Sequence, residues 1–210
     1  MVETKLNTYL EEIDRKKAGL EKLSDDIWEF AETAFSEHNS VKALADFLRA
    51  EGFSVTEHAY GVETAFTAEF GQGRPRIGIL GEFDALSGLS QKAGLAEKEA
   101  LIPGANGHGC GHNLLGAGSV AAALAVKKYL EDGHQGTVVY YGCPGEEGGS
   151  GKAFMARGGA FKDLDCALTW HPGVVNAVSK DSSLANFQVL YSFKGISAHA
   201  AGCPEMGRSA

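Results

Sequence analysis

The sequence has no long hydrophobic run. Its longest unbroken apolar stretch, VAAALAV at residues 120–126, falls far short of the ~18 residues that a membrane span needs. The opening MVETKLNTYLEEIDRKK is charged throughout and has no apolar core of a signal peptide. Positive charge is not in excess. The 19 Lys and Arg stand against 27 Asp and Glu, a net charge of −8, which argues against a nucleic-acid backbone or an anionic membrane as the main partner. Cysteine is sparse, with 4 residues (Cys110, Cys143, Cys166, Cys203) and no CxxC pair. A disulfide framework is therefore not expected, and reduced thiols in the cytoplasm are the expectation. GxSxG, P-loop and dinucleotide fingerprints are all missing, so serine-hydrolase and nucleotide readings lack support. No internal repeat or low-complexity tract is present.

What is there can build a core: 44% of residues are hydrophobic and 22% charged. Glycine is in excess, 28 of 210 or about 13% against about 7% in average usage, which predicts many tight turns or close backbone approaches. Leu20, Leu23, Ile27, Ala31 and Ala34 recur at helical spacing, and residues 40–50 repeat the pattern up to a stop at Gly52. The more polar residues 6–13 are expected as a mobile lead-in helix. Residues 62–70 alternate as a half-buried strand with Val62, Thr64, Phe66, Ala68 and Phe70 inward. RIGIL (76–80) suits a central strand, residues 86–103 read as loop, and 113–130 form the clearest helix, with Asn113 placed to cap it. TVVYYGC (137–143) reads as a strand, 151–157 as a short helix and 166–170 as another strand, with Cys166 in the core. Strands separated by helices predict an α/β layer fold with a largely parallel sheet.

The texture changes at Asn186. NFQVLYSF (186–193) alternates apolar and polar residues like the first strand of a new unit, and the sequence stops soon after. The expected division is a catalytic domain over 1–185 and the incomplete beginning of a second domain over 186–210.

Ligands of open α/β sheets bind outside the carboxyl ends of the strands. Four segments put polar residues there: Glu82 and Asp84 after RIGIL, Cys110 and His112 in GHGCGHN, Glu146 and Glu147 in PGEEGGSG, and His171 after CALTW. In GHGCGHN a thiol and an imidazole lie two residues apart before a helix N-terminus, which favours a thiolate and a transition-metal site. A buried thiol with a helix-capping histidine is the plainer alternative, and His108 is a further possible ligand. In GEEGG, two adjacent carboxylates are costly to bury together. A metal would accommodate one and leave the other as a general base, against the alternative of a solvated acidic turn. Asp84 fits the orientation of a ligand histidine from behind. His38, His58 and His134 read as solvated, and Cys143 as packing.

FDAL, HGCGHN, PGEEGGSG, TWHPG and SAHAAGCPEMGRSA appear in the order that marks the amidohydrolase branch of the M20 metallopeptidases, and the sequence resembles that family from about Trp28 onward. The resemblance implies a three-layer α/β/α catalytic domain followed by an α+β lid, or dimerisation, domain. It implies Cys110, His112, Glu147 and His171 as metal ligands, two divalent ions (Mn2+ or Zn2+) per complete site, and Glu146 as the general base. Asp84 takes a supporting role, and His199 reaches from the lid toward the reacting carbonyl, in dimers often across to the partner. Two departures stand out: Asn113 replaces the aspartate that many relatives carry after CGH, and the family's last ligand histidine lies beyond Ala210. The implied activity is metal-dependent hydrolysis of an N-acyl amino acid, with p-aminobenzoyl-glutamate preferred and Arg208 an available cation for a substrate carboxylate. The alternatives are an amidase or dipeptidase for other N-acyl amino acids, or a non-catalytic metal-stabilised subunit. The implied partner is a homologous subunit or a second copy, through the lid domain.

Overall fold

The computed structural model describes residues 2–178, 182, 184–185, 187 and 189–209. The chain divides into two compact units, Met1–Val175 and Asn176–Ala210. No helix among the described residues is long and apolar enough to cross a membrane.

In the first unit, α1 (Val2–Phe30) and α2 (His38–Ala50) precede β1 (Ser54–Glu57), β2 (Phe66–Gln72) and β3 (Arg76–Gly81). Then follow α3 (His112–Glu131), β4 (Gly136–Gly142), α4 (Gly151–Arg157) and β5 (Cys166–Leu168). The sheet order is β1-β2-β4-β3-β5. The parallel part is β4, β3 and β5, while β1 and β2 extend it as antiparallel strands.

Every residue of β4 is buried, as suits a central strand covered on both faces. Its side chains alternate between two cores. Val138 and Tyr140 join Leu44, Leu48, Phe66, Val120 and Leu124 under α1, α2 and α3. Val139 and Tyr141 join Leu80, Cys143 and Met155 on the face covered by α4. The period of 2 in one strand thus builds helix–sheet–helix layers.

Several local expectations change. Residues 6–13 are not a mobile lead-in but part of one helix, α1. Tyr9 stacks edge-on against Tyr129 of α3 at 5.5 Å and Lys16 pairs with Glu51 at 2.6 Å, so tertiary contacts hold the polar end in place. α1 stops at Phe30, where Ala31 turns to φ +42. The alternation in 62–70 holds, but β2 starts at Phe66, because residues 62–65 form a turn closed by Ala65 N–H to the Val62 carbonyl at 3.1 Å. Asn113 does not cap α3. Gly111 takes that position with φ +76, and Asn113 is buried, donating to Ser24 Oγ at 3.1 Å to tie α3 to α1. Cys166 is exposed, because β5 is the edge strand of the sheet.

In the second unit, Ile196 and Arg208 exchange two backbone hydrogen bonds of 2.9 Å, and Pro204–Met206 form a single helical turn between them. The strand expected over 186–193 does not form among its described residues, and Asn186 and Gln188 lie outside them. A strand exists only through ladder bonds to a neighbour, and none is present there.

Candidate metal centre

The parallel register sets Gly81 of β3 against Gly142 of β4, so both strands release their chains at the same edge. Glu82, Phe83 and Asp84 leave from one strand and residues 143–147 from the other, and Cys143 N–H donates to the Gly81 carbonyl at 2.8 Å. The long loop after Asp84 returns to its start. Leu86 and Gly107 exchange two backbone bonds of 3.0 Å, which carries Cys110 and His112 back beside Asp84. β5, parallel to β3, brings His171 to the same edge.

His112 is fully buried at the first turn of α3. Its Nδ1 lies 2.9 Å from Asp84 Oδ1, which fixes the proton on Nδ1 and leaves the Nε2 lone pair free. His171 repeats the arrangement: Nδ1 lies 2.8 Å from the Pro172 carbonyl, and Nε2 lies 3.3 Å from Cys110 Sγ. Asp84 also accepts the Glu147 N–H at 2.7 Å through Oδ2. One buried aspartate therefore orients a histidine and the acidic loop together.

Among the buried side-chain atoms of the described residues that have no hydrogen-bond partner, three belong to this edge: Glu82 Oε2, His112 Nε2 and Glu147 Oε1. They converge, with His112 Nε2 3.1 Å from Glu82 Oε2 and 4.0 Å from Glu147 Oε1. An orphaned buried polar atom costs about 1–3 kcal/mol, so three facing one another are expensive unless a cation joins them. Ligand atoms of Cys110, His112 and His171, and those of Glu82, His112 and Glu146, fall in two groups within 4.8 Å. Thiolate, imidazole and carboxylate donors suit zinc or a similar divalent ion, so these residues fit a metal site.

The electrostatics point the same way. Burial, a hydrogen bond with Glu147 and the nearby carboxylates push the Cys110 thiol up to about 11. The helix N-terminus does not produce a thiolate by itself, as the sequence led us to expect; a bound cation would have to supply that charge. Burial opposes protonation of His112, but the Asp84 hydrogen bond and the surrounding acidic charges outweigh it and raise its pKa. Burial, then the charges of Glu82 and Glu147, raise the Glu146 carboxyl, whose side chain remains 45% exposed.

Of the sequence candidates in the first unit, Asp84, Cys110, His112, Glu146, Glu147 and His171 all meet here. His108 does not. Its Nε2 lies 2.9 Å from the Ile27 carbonyl, tying the loop to α1. His199 and Arg208 belong to the second unit, where both are exposed. His199 Nδ1 accepts the Gly202 N–H at 2.9 Å and the Ala201 N–H at 3.2 Å. Two residues went unassigned from sequence. Lys152 of α4 pairs with Glu82 Oε1, and a GSGK loop end gives no sign of that. Glu37, in SEHNS, is fully buried with Oε1 2.8 Å from Gly145 N.

The model of peptidase family M20/M25/M40 matches residues 78–182, and the chain belongs to that family. It is 56% identical over 189 residues to one subunit of the p-aminobenzoyl-glutamate hydrolase of Escherichia coli (strain K12), matching 90% of this chain and 39% of that protein's length. Among solved structures, an aminobenzoyl-glutamate utilization protein from Klebsiella pneumoniae superposes with a TM-score of 0.59 at 19% identity, over 80% of this chain and 46% of that one. The YXEP protein of Bacillus subtilis, a dinuclear metal-binding peptidase of the M20 family, gives 0.57 at 22% identity, over 72% and 42%. At such identities the structures speak for the fold alone.

Proposed function

We propose that the protein is a metal-dependent amidohydrolase that splits p-aminobenzoyl-glutamate into p-aminobenzoate and glutamate. The observation that carries the hydrolytic reading is the convergence of the unpaired Glu82 Oε2, His112 Nε2 and Glu147 Oε1 beside the Cys110–His171 pair. The substrate follows from the 56% identity to the Escherichia coli hydrolase chain.

Cys110, His112 and His171 would hold the metal together with Glu147, whose unpaired Oε1 lies 4.0 Å from His112 Nε2, and with Glu82 as an added carboxylate steadied by Lys152. Two divalent ions, manganese or zinc, would acidify water and polarise the amide carbonyl when bound. Glu146 has the reach and the exposure to take a proton from the attacking water and pass it to the leaving amine. Asp84 holds His112 and the acidic loop in place for that transfer. His199, whose Nδ1 accepts two backbone N–H groups and leaves Nε2 to carry the proton, is the candidate donor to the developing oxyanion, in its own chain or a partner's. Arg208 is the candidate cation for the substrate carboxylate. In this reading residues 1–185 are the catalytic domain, 186–210 open a lid domain, and a homologous subunit is the partner.

Replacing Glu146 with Gln in the full-length protein is expected to lower kcat by about 10²–10⁴-fold while sparing bound metal. Unchanged turnover would rule out the assignment of the base. Metal analysis with and without Cys110→Ser tests the centre itself; equal metal content in both removes Cys110 from it.

A further inference from the structure

We propose that Glu37 is a positioning residue for Glu146: its buried carboxylate holds the Gly145 amide of the acidic loop, as Asp84 holds the Glu147 amide. The inference rests on the reading of Glu146 as general base.

Glu37 immediately precedes α2, where an acidic side chain ordinarily caps the helix. Here it makes no capping bond. Glu32 does that work instead, accepting the Asn39 and Ser40 N–H groups, each at 2.9 Å. Glu37 is thereby free to turn inward, and it is fully buried. Its Oε1 accepts the Gly145 N–H at 2.8 Å, across 108 residues of sequence, and its Oε2 has no partner. Burial of the carboxylate outweighs the pull of Thr64 and of backbone N–H groups, so it costs stability, and a neutral residue would fill the space more cheaply. That cost is understandable where the bond fixes something of use.

What it fixes is the Pro144–Gly145 peptide, one residue before Glu146. Gly145 N–H goes to Glu37, and Glu147 N–H goes to Asp84 at 2.7 Å. The amides on both sides of the base are thus held by buried carboxylates from two different segments. Gly145 adopts φ +60, and a Cβ there would meet the Phe35 ring at 2.8 Å, so residues 35–37 and the loop are shaped to each other. The Gly151 N–H to the Gly145 carbonyl, 3.0 Å, closes the loop behind. The backbone of Glu146 is set while its carboxylate stays half-exposed toward His112, with Oε2 3.9 Å from Nε2. Proton transfer needs that placement, because a displacement of 1 Å can cost about 10²-fold.

The test compares Glu37→Ala, Glu37→Gln and Glu37→Asp with Glu146→Gln in the full-length protein, using p-aminobenzoyl-glutamate. Glu37→Ala is expected to lower kcat about 10–100-fold, with KM and metal content within about twofold, and to speed hydrogen exchange at the Gly145 amide. Glu37→Gln keeps an acceptor oxygen and should recover most of the turnover. Should Glu37→Ala fail to fold, Glu37→Asp takes its place. It is one methylene too short to reach Gly145, so kcat should fall with metal retained. Unchanged kcat, or an equal loss of kcat, metal and folded protein, overturns the proposal. If Glu146→Gln keeps full turnover, the base is wrong. The Gly145 exchange rate then still reports whether Glu37 holds the loop, and an unchanged rate overturns that too.

Discussion

The two units treat the same sequence pattern in opposite ways. In the first unit, Val62, Thr64, Phe66 and Ala68 alternate with their neighbours and all sit at 9% exposure or less. In the second unit, Phe187, Val189, Tyr191 and Phe193 alternate just as regularly and remain between 61% and 91% exposed. Alternation offers a face to be buried; it supplies no layer to bury it against. The first unit brings its own helices to both faces of the sheet. The polar residues divide similarly, with His112, Asp84, Glu82 and Glu37 buried in the first unit while His199 and Arg208 stay exposed in the second.

The largest effect expected from that contrast is on stability. Leu44→Ala, at a fully buried core position, should cost about 2–5 kcal/mol in denaturant unfolding. Asp84→Asn should weaken metal binding about 10–100-fold, read by metal titration; full affinity would mean that the orientation of His112 does not matter. A smaller effect depends on pH. Burial pushes the Glu37 carboxyl above its ordinary range, against the pull of backbone N–H groups. The folded state then holds that proton more tightly than the unfolded chain, and the contribution is complete below the ordinary carboxylate pKa. It is lost as pH rises through the raised value. Glu37→Gln removes this loss, so its stability relative to the native protein should climb with pH across that window, and a flat difference would refute the burial argument. The smallest effect is Phe187→Ala, within about 0.5 kcal/mol; a loss comparable to that of Leu44→Ala would erase the distinction between the units.

Much of the centre was legible because five of its residues follow strands. Glu82, Asp84, Glu146, Glu147 and His171 leave strands that proved parallel and aligned, so one rule about strand ends collected them. Asn113 was misread and His108 was left open, since nothing local shows that Ser24 and the Ile27 carbonyl lie opposite them. Glu37 and Lys152 escaped for the same reason: their partners, Gly145 and Glu82, stand 108 and 70 residues away. The surroundings of the Cys110 thiol were only half legible: a helix N-terminus is easily read from sequence, whereas the burial and the nearby carboxylates that raise its pKa are not.

Local chemistry and periodicity sufficed to determine which segments become the main helices and strands, which of their faces are apolar, and which strand ends carry donors. Those properties reside in residues a few positions apart, where spacing alone sets the geometry. Only the tertiary structure decided where β2 begins, that α1 runs unbroken, and which of two similar apolar alternations is buried. It alone decided that three unpaired atoms from distant loops face one another, since burial and convergence are relations between segments that no single segment encodes.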